Sequence, residues 1–429
     1  MKKKYRIILY TSIFLLCVVA SIILVVKKSN SVYEEESKPK VVKHKSMLSM
    51  NLEQTAGSGD YKTVTQSKWP TEGYKFNAEL SRCENGSTLS WDDTKKAVIV
   101  SCNLSDKCYV YFDIYQPTLA EYIKSQYTGT QGENNIYYHD SDLANGAGDN
   151  SYRYAGANPN NFVCFGSDTS PCPTDNLYRI IGVFGENYHG VTGKQLVKLI
   201  KYDYMTTDEL GTDGDYSQTY KEWGMDSTYK GTYGDGERIG VYYWNYKATG
   251  SATNTWSTSL LNKTNLNTNF INNIGTTWAN KIATVTWKVG GNTWANIGTK
   301  TSSVAYTNEI TNPVTTNTTD NATTYSAKIG LMYVSDYGFA ASPDAWTLTM
   351  SSYNNTTATN NNWMYMGLYE WTISRIADYS DFAFYVYRDG NVSDYDVDNN
   401  RGVRASFSLE SSVSYVSGSG SMSDPIVIN

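Results

Sequence analysis

Two segments decide the fold class of this chain: YRIIGVF at residues 178–184 and QLVKLIKY at residues 195–202. Both are nearly continuous runs of apolar and β-branched side chains, and a loop containing several glycines separates them. Such runs are typical of strands that are buried on both faces, and their short separation predicts a β-hairpin. We therefore expect this hairpin to lie at the centre of a sheet.

The best helix candidate follows at residues 256–274. Leu266, Phe270 and Ile274 recur every four residues, which places them on one face of a helix. Gly275 comes next and suits a C-terminal cap. One helix among many strand-like segments predicts an α+β fold that is rich in β-structure.

The last hundred residues contain further strand patterns. The Asp-Gly pair at 389–390 predicts a tight turn between two strands. Residues 299–325 are polar and of low complexity, which favours a surface loop. The predicted strands are residues 325–337, 382–387, 403–409 and 425–428.

The composition limits the class of function. The net charge is −6 and the basic residues are scattered, so the basic footprint of a nucleic-acid-binding protein is absent. Only three histidines occur, which argues against a histidine-rich metal or acid–base site. Residues 190–194 (GVTGK) lack the spacing of a phosphate-binding loop, and the chain contains no Gly-x-Ser-x-Gly motif.

The amino-terminal region predicts a membrane anchor. Residues 7–26 are apolar or small and carry no charge, and as a helix they would span about 30 Å, the thickness of a bilayer core. Four basic residues precede this segment and two follow it, which places residues 1–6 in the cytoplasm and the remainder outside the cell. The alternative is a cleaved signal peptide, since residues 29–31 (SNS) resemble a cleavage site, and the protein would then be secreted. Residues 27–66 are charged and lack periodicity, which predicts a flexible tether.

Residues 68–115 predict a small β module that contains three cysteines. An extracellular location permits disulfides, and three cysteines allow three different single bridges. The preferred pair is Cys83 with Cys108, which leaves Cys102 free or bonded elsewhere. Further along, Cys164 and Cys172 enclose a short loop and are expected to form a second disulfide, because no base is nearby to activate a catalytic thiol.

The carboxyl-terminal region contains four notable segments: EWTISR (370–375), FAFYVYRDGNV (382–392), RGVRASFSL (401–409) and VSGSGSMSDPIVIN (416–429). Taken together, these segments resemble a family of uncharacterised bacterial surface domains. That family ends in a Gly-Val-Arg-Pro strand, a Gly/Ser-rich stretch and an Asp-Pro-hydrophobic sequence. Here Ala405 stands where the family often has proline. The resemblance covers residues 150–429, and residues 68–115 resemble a module that accompanies such domains.

The same family is similar in layout to the C-type-lectin-like fold, which formylglycine-generating enzymes also use. Glu370 and Trp371, followed by a hairpin and a Gly-x-Arg strand, carry this second resemblance. It implies a C-type-lectin-like main domain over residues 150–429. Formylglycine-generating activity needs a late cysteine pair that holds copper, and no cysteine follows Cys172, so that activity is excluded.

An acidic run provides the candidate metal site. Asp394, Asp396 and Asp398 alternate in a predicted hairpin loop, and oxygen ligands at alternating positions suit Ca²⁺. An EF-hand would need a glutamate where Ala405 stands, so a solvated loop is the alternative. A weaker cluster of the same kind comprises Asp140, Asp142, Asn145 and Asp149.

A group of four aromatic residues provides the candidate ligand site. Exposed rings of this kind form stacking platforms for sugars, although such a density of rings is more often found in a core. The four residues are Trp363, Tyr365, Tyr369 and Trp371.

These observations predict a membrane-anchored extracellular binding or adhesion protein without catalytic activity. Its partners would be a glycan or a surface protein, together with the lipid bilayer around residues 7–26. No cofactor is expected apart from the candidate calcium ion. The alternatives are a cell-envelope polysaccharide or peptidoglycan hydrolase with paired carboxylates, and a structural envelope protein that associates with itself.

Overall fold

The computed structural model describes residues 48–65, 68–70, 73–101, 106–224, 226–313, 323–354 and 356–429. The fold is α+β and rich in strands, with 34% strand and 21% helix, so the predicted class is confirmed. The predicted anchor at 7–26 and Cys102 lie outside the described residues. Among the residues that are described, no helix has the length and apolar character needed to cross a membrane.

The described residues form two compact units, and the division between them falls between Gln116 and Pro117. The larger unit therefore begins before residue 150, where the sequence placed its start. The smaller unit takes in residues that were assigned to the tether, because two strands form between residues 48 and 64. Leu48, Met50 and Leu52 alternate with polar residues there, and this short strand signal is easily missed beside a charged segment.

The smaller unit contains a four-stranded sheet and a separate hairpin. The sheet order is β2-β1-β6-β3, in which β1 runs parallel to β6 and the other pairs are antiparallel. A disulfide joins Cys83 on β3 to Cys108 on β6, which is the pair that the sequence favoured. The strands are β1 (Leu48–Glu53), β2 (Tyr61–Val64), β3 (Tyr74–Cys83), β4 (Thr88–Asp92), β5 (Ala97–Ser101) and β6 (Cys108–Ile114).

The larger unit is built on a seven-stranded sheet. Its order is β16-β21-β11-β10-β8-β7, and β9 also pairs with β10. The strands of this unit are β7 (Ile136–His139), β8 (Ser151–Tyr154), β9 (Phe162–Cys164), β10 (Leu177–Phe184), β11 (Leu196–Lys201), β12 (Tyr216–Thr219), β13 (Gly240–Tyr243), β14 (Val285–Lys288), β15 (Thr324–Ala327), β16 (Ile329–Gly330), β17 (Glu370–Arg375), β18 (Phe382–Val386), β19 (Val392–Asp396), β20 (Asn400–Arg401), β21 (Ser406–Ser408), β22 (Tyr415–Ser417) and β23 (Val427–Ile428).

The predicted hairpin is the centre of that sheet. β10 and β11 pair in an antiparallel register, and every residue of both strands is buried. The predicted helix is also present, as a π-helical segment Leu261–Phe270 that continues into Ile271–Ala279. Gly275 has a φ of +75° and non-helical backbone angles, so the first helix ends there, as predicted, and a second short helix reaches Ala279.

The remaining helices are short. The α-helices, apart from the one that contains Gly275, are α1 (Leu119–Ser125), α2 (Glu186–His189), α3 (Thr207–Leu210), α4 (Tyr220–Trp223), α5 (Ser302–Tyr306), α6 (Val334–Ala340) and α7 (Thr356–Asn360). Single turns of 3₁₀-helix lie at Glu133–Asn135, Thr174–Asn176, Trp294–Asn296, Pro343–Thr347 and Met350–Ser352, and a further π-helical turn spans Thr307–Thr311.

Two predicted elements differ from the structure. The polar insertion at 299–325 is not wholly a surface loop, because α5 lies in it and Glu309 and Ile310 are buried. Residues 325–337 do not form one strand, since β15 and β16 are followed by α6. In both places contacts with distant parts of the chain outweigh the local pattern.

Candidate functional site

Three of the four aromatic residues that the sequence singled out lie in the interior. Trp363 and Trp371 donate their indole N–H groups to the carbonyl oxygens of Tyr154 and Tyr242, at 2.9 and 3.0 Å. The Tyr365 hydroxyl donates to the Arg388 carbonyl at 2.6 Å. These rings are buried and their polar atoms are satisfied, so they do not provide the exposed faces that a sugar platform requires.

Tyr369, the fourth residue, is partly exposed and belongs to a different group of rings. Its ring centroid lies 5.2 Å from that of Trp223 and 4.7 Å from that of Tyr387. Tyr385 is 6.2 Å away. We call these four rings, together with Tyr395 and the Arg401 side chain, the aromatic surface. The Arg401 guanidinium lies over the rings of Trp223, Tyr369, Tyr385 and Tyr395.

Several elements bring the aromatic surface together. Trp223 ends α4, whose first turn is capped by Thr219. Tyr385 lies on β18, while Tyr395 lies on β19, which pairs with β18. Tyr369 immediately precedes β17, and Arg401 ends β20.

A buried ion pair fixes the two segments that carry Tyr369 and Arg401. Arg404 donates from Nε and Nη2 to the two carboxylate oxygens of Glu370, at 2.7 and 2.9 Å. The Gly402 amide donates to the Tyr369 carbonyl at 3.0 Å. Glu370 lies in the EWTISR segment and Arg404 lies in the RGVRASFSL segment. Both are buried, so their ion pair holds the two segments together and does not form the exposed surface.

Arg401 lies among the rings and is only 5% exposed. Its guanidinium carbon is 4.6 Å from the ring centroid of Tyr385, 5.1 Å from that of Tyr369 and 5.3 Å from that of Tyr395. Nη1 donates to the Asn400 carbonyl at 2.7 Å, whereas Nε has no hydrogen-bond partner. Within the described part of the chain no carboxylate pairs with this cation, so the faces of the rings are its main electrostatic partners.

The rings of the aromatic surface differ in exposure. Tyr395 is 44% exposed, Trp223, Tyr369 and Tyr387 are partly exposed, and Tyr385 is buried. Burial, together with the neighbouring Tyr387 hydroxyl, raises the pKa of Tyr369 to about 12, so its phenol remains a hydrogen-bond donor at neutral pH. The surface therefore combines exposed ring faces with neutral hydroxyl groups.

Arg388 adds an exposed positive charge at the edge of the aromatic surface. Its guanidinium carbon lies 5.8 Å from the Tyr369 ring centroid and 5.9 Å from that of Tyr387. Nη1 contacts the Asp226 carboxylate at 2.7 Å. A ligand bound to this surface would contact both the ring faces and the Arg388 guanidinium.

The candidate calcium residues are not gathered around one point. Asp394 and Asp396 lie on β19 and not in a loop, and Asp398 is exposed beyond the strand. Burial, and then the nearby Asp378 carboxylate, raises the pKa of Asp394, while burial and Asp398 raise the pKa of Asp396. Of the carboxylate, thiol and imidazole groups in the described ranges, the one set of three with ligand atoms within 4.8 Å is Cys83, Asp106 and Cys108.

That set does not form a metal site, because its two cysteines are joined in a disulfide. The weaker acidic cluster has structural contacts as well. Asp149 pairs with Arg153 at 2.8 Å, and Asp140 accepts hydrogen bonds from the backbone amides of Asp142 and Leu143.

Cys164 and Cys172 form the second disulfide, so neither is available as a thiol nucleophile. The loop that they enclose borders a pocket of about 320 Å³ in the larger unit. Trp278 lies in the wall of this pocket, as do two exposed carboxylates, Asp168 and Asp424.

Sequence reasoning missed Trp223, Tyr387, Tyr395 and Arg401. The alternation of tyrosines in the predicted hairpin was a usable signal for Tyr385 and Tyr387, which point to one face of a strand. Trp223 had no such signal, because it is separated from Tyr369 by more than a hundred residues.

Comparison with protein-family models, with curated proteins and with solved structures found no match to this chain.

Proposed function

We propose that this protein is an extracellular binding or adhesion protein, and that its aromatic surface binds a glycan. The single observation that carries this proposal is the group of partly exposed rings around Arg401. The apolar face of a sugar ring stacks on aromatic side chains, and its hydroxyl groups exchange hydrogen bonds with phenols and guanidinium groups. Trp223, Tyr369 and Tyr387 offer such faces, and Tyr395 and Arg388 extend them.

The proposal includes the arrangement of the whole chain. Residues 7–26 would anchor the protein in the bilayer, with the described units outside the cell. The larger unit would have a C-type-lectin-like fold, as the resemblance of its carboxyl-terminal motifs implies. The aromatic surface would then face a neighbouring cell surface or cell wall.

The test is binding of the full-length protein, held in a detergent without sugar groups, to a glycan array with and without Ca²⁺. Tyr395→Ala and Trp223→Ala should each weaken binding about tenfold, since central aromatic residues contribute most of the energy of such contacts. Tyr246→Ala is the matched control, because Tyr246 is 46% exposed and lies outside the aromatic surface. Unchanged binding in both surface variants would reject the proposal, and binding that requires Ca²⁺ would return attention to Asp394.

A polysaccharide hydrolase is the second candidate, because Asp168 and Asp424 line one pocket beside Trp278. Glycoside hydrolysis uses two carboxyl groups on either side of the scissile bond. Asp168→Asn and Asp424→Asn should then each abolish the release of reducing ends from cell-wall polysaccharide. Absence of turnover in the native protein would remove this candidate.

A further inference from the structure

The larger unit contains another recess, which shares no residue with the aromatic surface. Its volume is about 220 Å³. All of its lining side chains are uncharged hydrogen-bonding groups, and apart from one serine they are the phenols and carboxamides of Tyr122, Tyr154, Gln126, Asn134, Asn135 and Asn160. We call this recess the amide pocket.

The walls of the amide pocket are held in place before any ligand arrives. Tyr122 stacks on Tyr415 with ring centroids 3.7 Å apart and planes 6° from parallel. The Asn134 side chain donates to the Gln126 carbonyl at 2.8 Å. Asn134 and Asn135 both have a φ of +58°, in the left-handed region that asparagine adopts more readily than most residues.

The amide pocket also has unused hydrogen-bonding capacity. Tyr154 is only 4% exposed, and its hydroxyl group has no hydrogen-bond partner among the described residues. Burial raises the pKa of Tyr154, so this phenol stays protonated and can donate. The side-chain amides of Asn135 and Asn160 make no hydrogen bonds within the described ranges either. Asn135 and Asn160 are exposed, so these side chains bind solvent in the free protein and can exchange it for the hydroxyl groups of a ligand.

We propose that the amide pocket binds one neutral sugar unit, independently of the aromatic surface. Carboxamides and phenols can both donate to and accept from hydroxyl groups, which matches a polyhydroxylated ligand. The uncharged lining provides no ionic partner for an acid or an amine. The volume lies below the roughly 300–1,000 Å³ of pockets for drug-sized ligands, which favours a single ring over an oligosaccharide.

The experiment is a saturation-transfer NMR titration of the full-length protein, in a sugar-free detergent, with glucose, N-acetylglucosamine and glucuronate as probes. At least one neutral sugar should bind saturably and more tightly than glucuronate. Tyr154→Phe and Asn160→Ala should each weaken that binding about fivefold, the effect of one lost hydrogen bond. Tyr137→Phe is the matched control, because Tyr137 lies on the adjacent strand β7, outside the pocket lining, and its hydroxyl likewise has no partner among the described residues.

Three results would overturn the proposal. The first is an absence of saturable binding by both neutral sugars, and the second is tighter binding of glucuronate. The third is binding that both pocket variants leave unchanged. Tyr395→Ala separates this proposal from the one for the aromatic surface, because it should reduce binding to the array and leave the monosaccharide titration unchanged.

Discussion

Arg404 and Glu370 are both buried, and their ion pair depends on each residue being present. Removing one partner of such a pair leaves an uncompensated charge in the interior. Arg404→Met should therefore lower the free energy of unfolding by about 3–5 kcal/mol, as measured by urea denaturation.

An exposed ion pair of the same kind provides the control. Arg238 is 44% exposed and contacts Asp175 at 2.9 Å. Because solvent screens exposed pairs, Arg238→Met should cost less than about 1 kcal/mol. Equal losses in the two variants would show that burial does not determine the contribution of the Arg404 pair.

His139 makes the stability depend on pH. It is fully buried, and its Nδ1 accepts a hydrogen bond from the Ala147 amide at 3.0 Å. Burial, and then the charge of Arg153, holds the pKa of His139 well below its usual value of 6.5. The unfolded chain therefore binds a proton that the folded protein excludes, and stability falls as the pH drops below that value.

His139→Asn should reduce the dependence of the free energy of unfolding on pH, because asparagine does not titrate. The asparagine side-chain oxygen can still accept the hydrogen bond from the Ala147 amide. The difference in slope should approach about 1.4 kcal/mol per pH unit, measured by urea denaturation between about pH 7 and pH 5.5. Phe339→Leu is the control, because Phe339 packs against the His139 ring at 4.9 Å and does not titrate. Identical slopes in the His139→Asn variant and the native protein would contradict the prediction.

At the scale of elements, the central strand β10 depends on a glycine. The register between β10 and β11 shifts between Ile180 and Gly182. A Cβ atom on Gly182 would lie 2.2 Å from the Tyr152 carbonyl oxygen, so Gly182→Ala must push β8 away. We expect a loss of about 1–3 kcal/mol, or more if the sheet opens, as measured by thermal unfolding.

Gly185→Ala is the matched substitution for that test. Gly185 follows β10 directly, has a φ of −90° and leaves nothing within 4 Å of an added Cβ. Its effect should stay within about 0.5 kcal/mol. A similar loss in both variants would mean that the contact with Tyr152 is not the cause.

The sequence could predict the β10–β11 hairpin because a strand buried on both faces leaves a continuous apolar run. It could not predict that the segment at 325–337 breaks into short strands and α6. The Asp336 side chain accepts from the Tyr333 amide at 3.0 Å and so caps that helix, and it also binds Lys198 at 2.7 Å. The second contact joins residues more than a hundred positions apart, which no local pattern records.

Contacts between residues far apart in the sequence also limited the prediction of the candidate site. The density of rings between Trp363 and Trp371 drew attention to a segment that contributes one ring to the aromatic surface. Which rings are exposed, however, depends on carbonyl groups of distant residues that accept the indole protons of Trp363 and Trp371. Only Tyr369 reaches the surface from that group, and its partners come from other elements.

For the whole molecule, the two units have separate hydrophobic cores and should unfold separately. The smaller unit has only a small core, formed by Met50, Leu52, Val98, Val110 and Phe112. Its disulfide closes a loop of 25 residues, which should contribute about 3–4 kcal/mol. Calorimetry of the variant with Cys83→Ala and Cys108→Ala should show the transition of the smaller unit at a lower temperature and that of the larger unit unchanged.

The second disulfide provides the reciprocal control. In the variant with Cys164→Ala and Cys172→Ala, only the transition of the larger unit should move to a lower temperature. The loss in free energy of unfolding should be about 2–3 kcal/mol, because the loop that this disulfide closes is shorter. A single transition in the native protein, or a shift of both transitions in either variant, would show that the units unfold as one.

The parallel pairing of β1 with β6 has a mechanical consequence. β1 is an interior strand, and its residues from Leu48 to Leu52 pair in register with those from Cys108 to Phe112. In a protein anchored through residues 7–26, a pull from a bound surface would enter at the start of β1 and leave at the end of β6. That direction shears the two strands past each other, so their hydrogen bonds resist the force together and do not open one by one. The small unit would then act as a force-bearing clamp between the anchor and the binding surface.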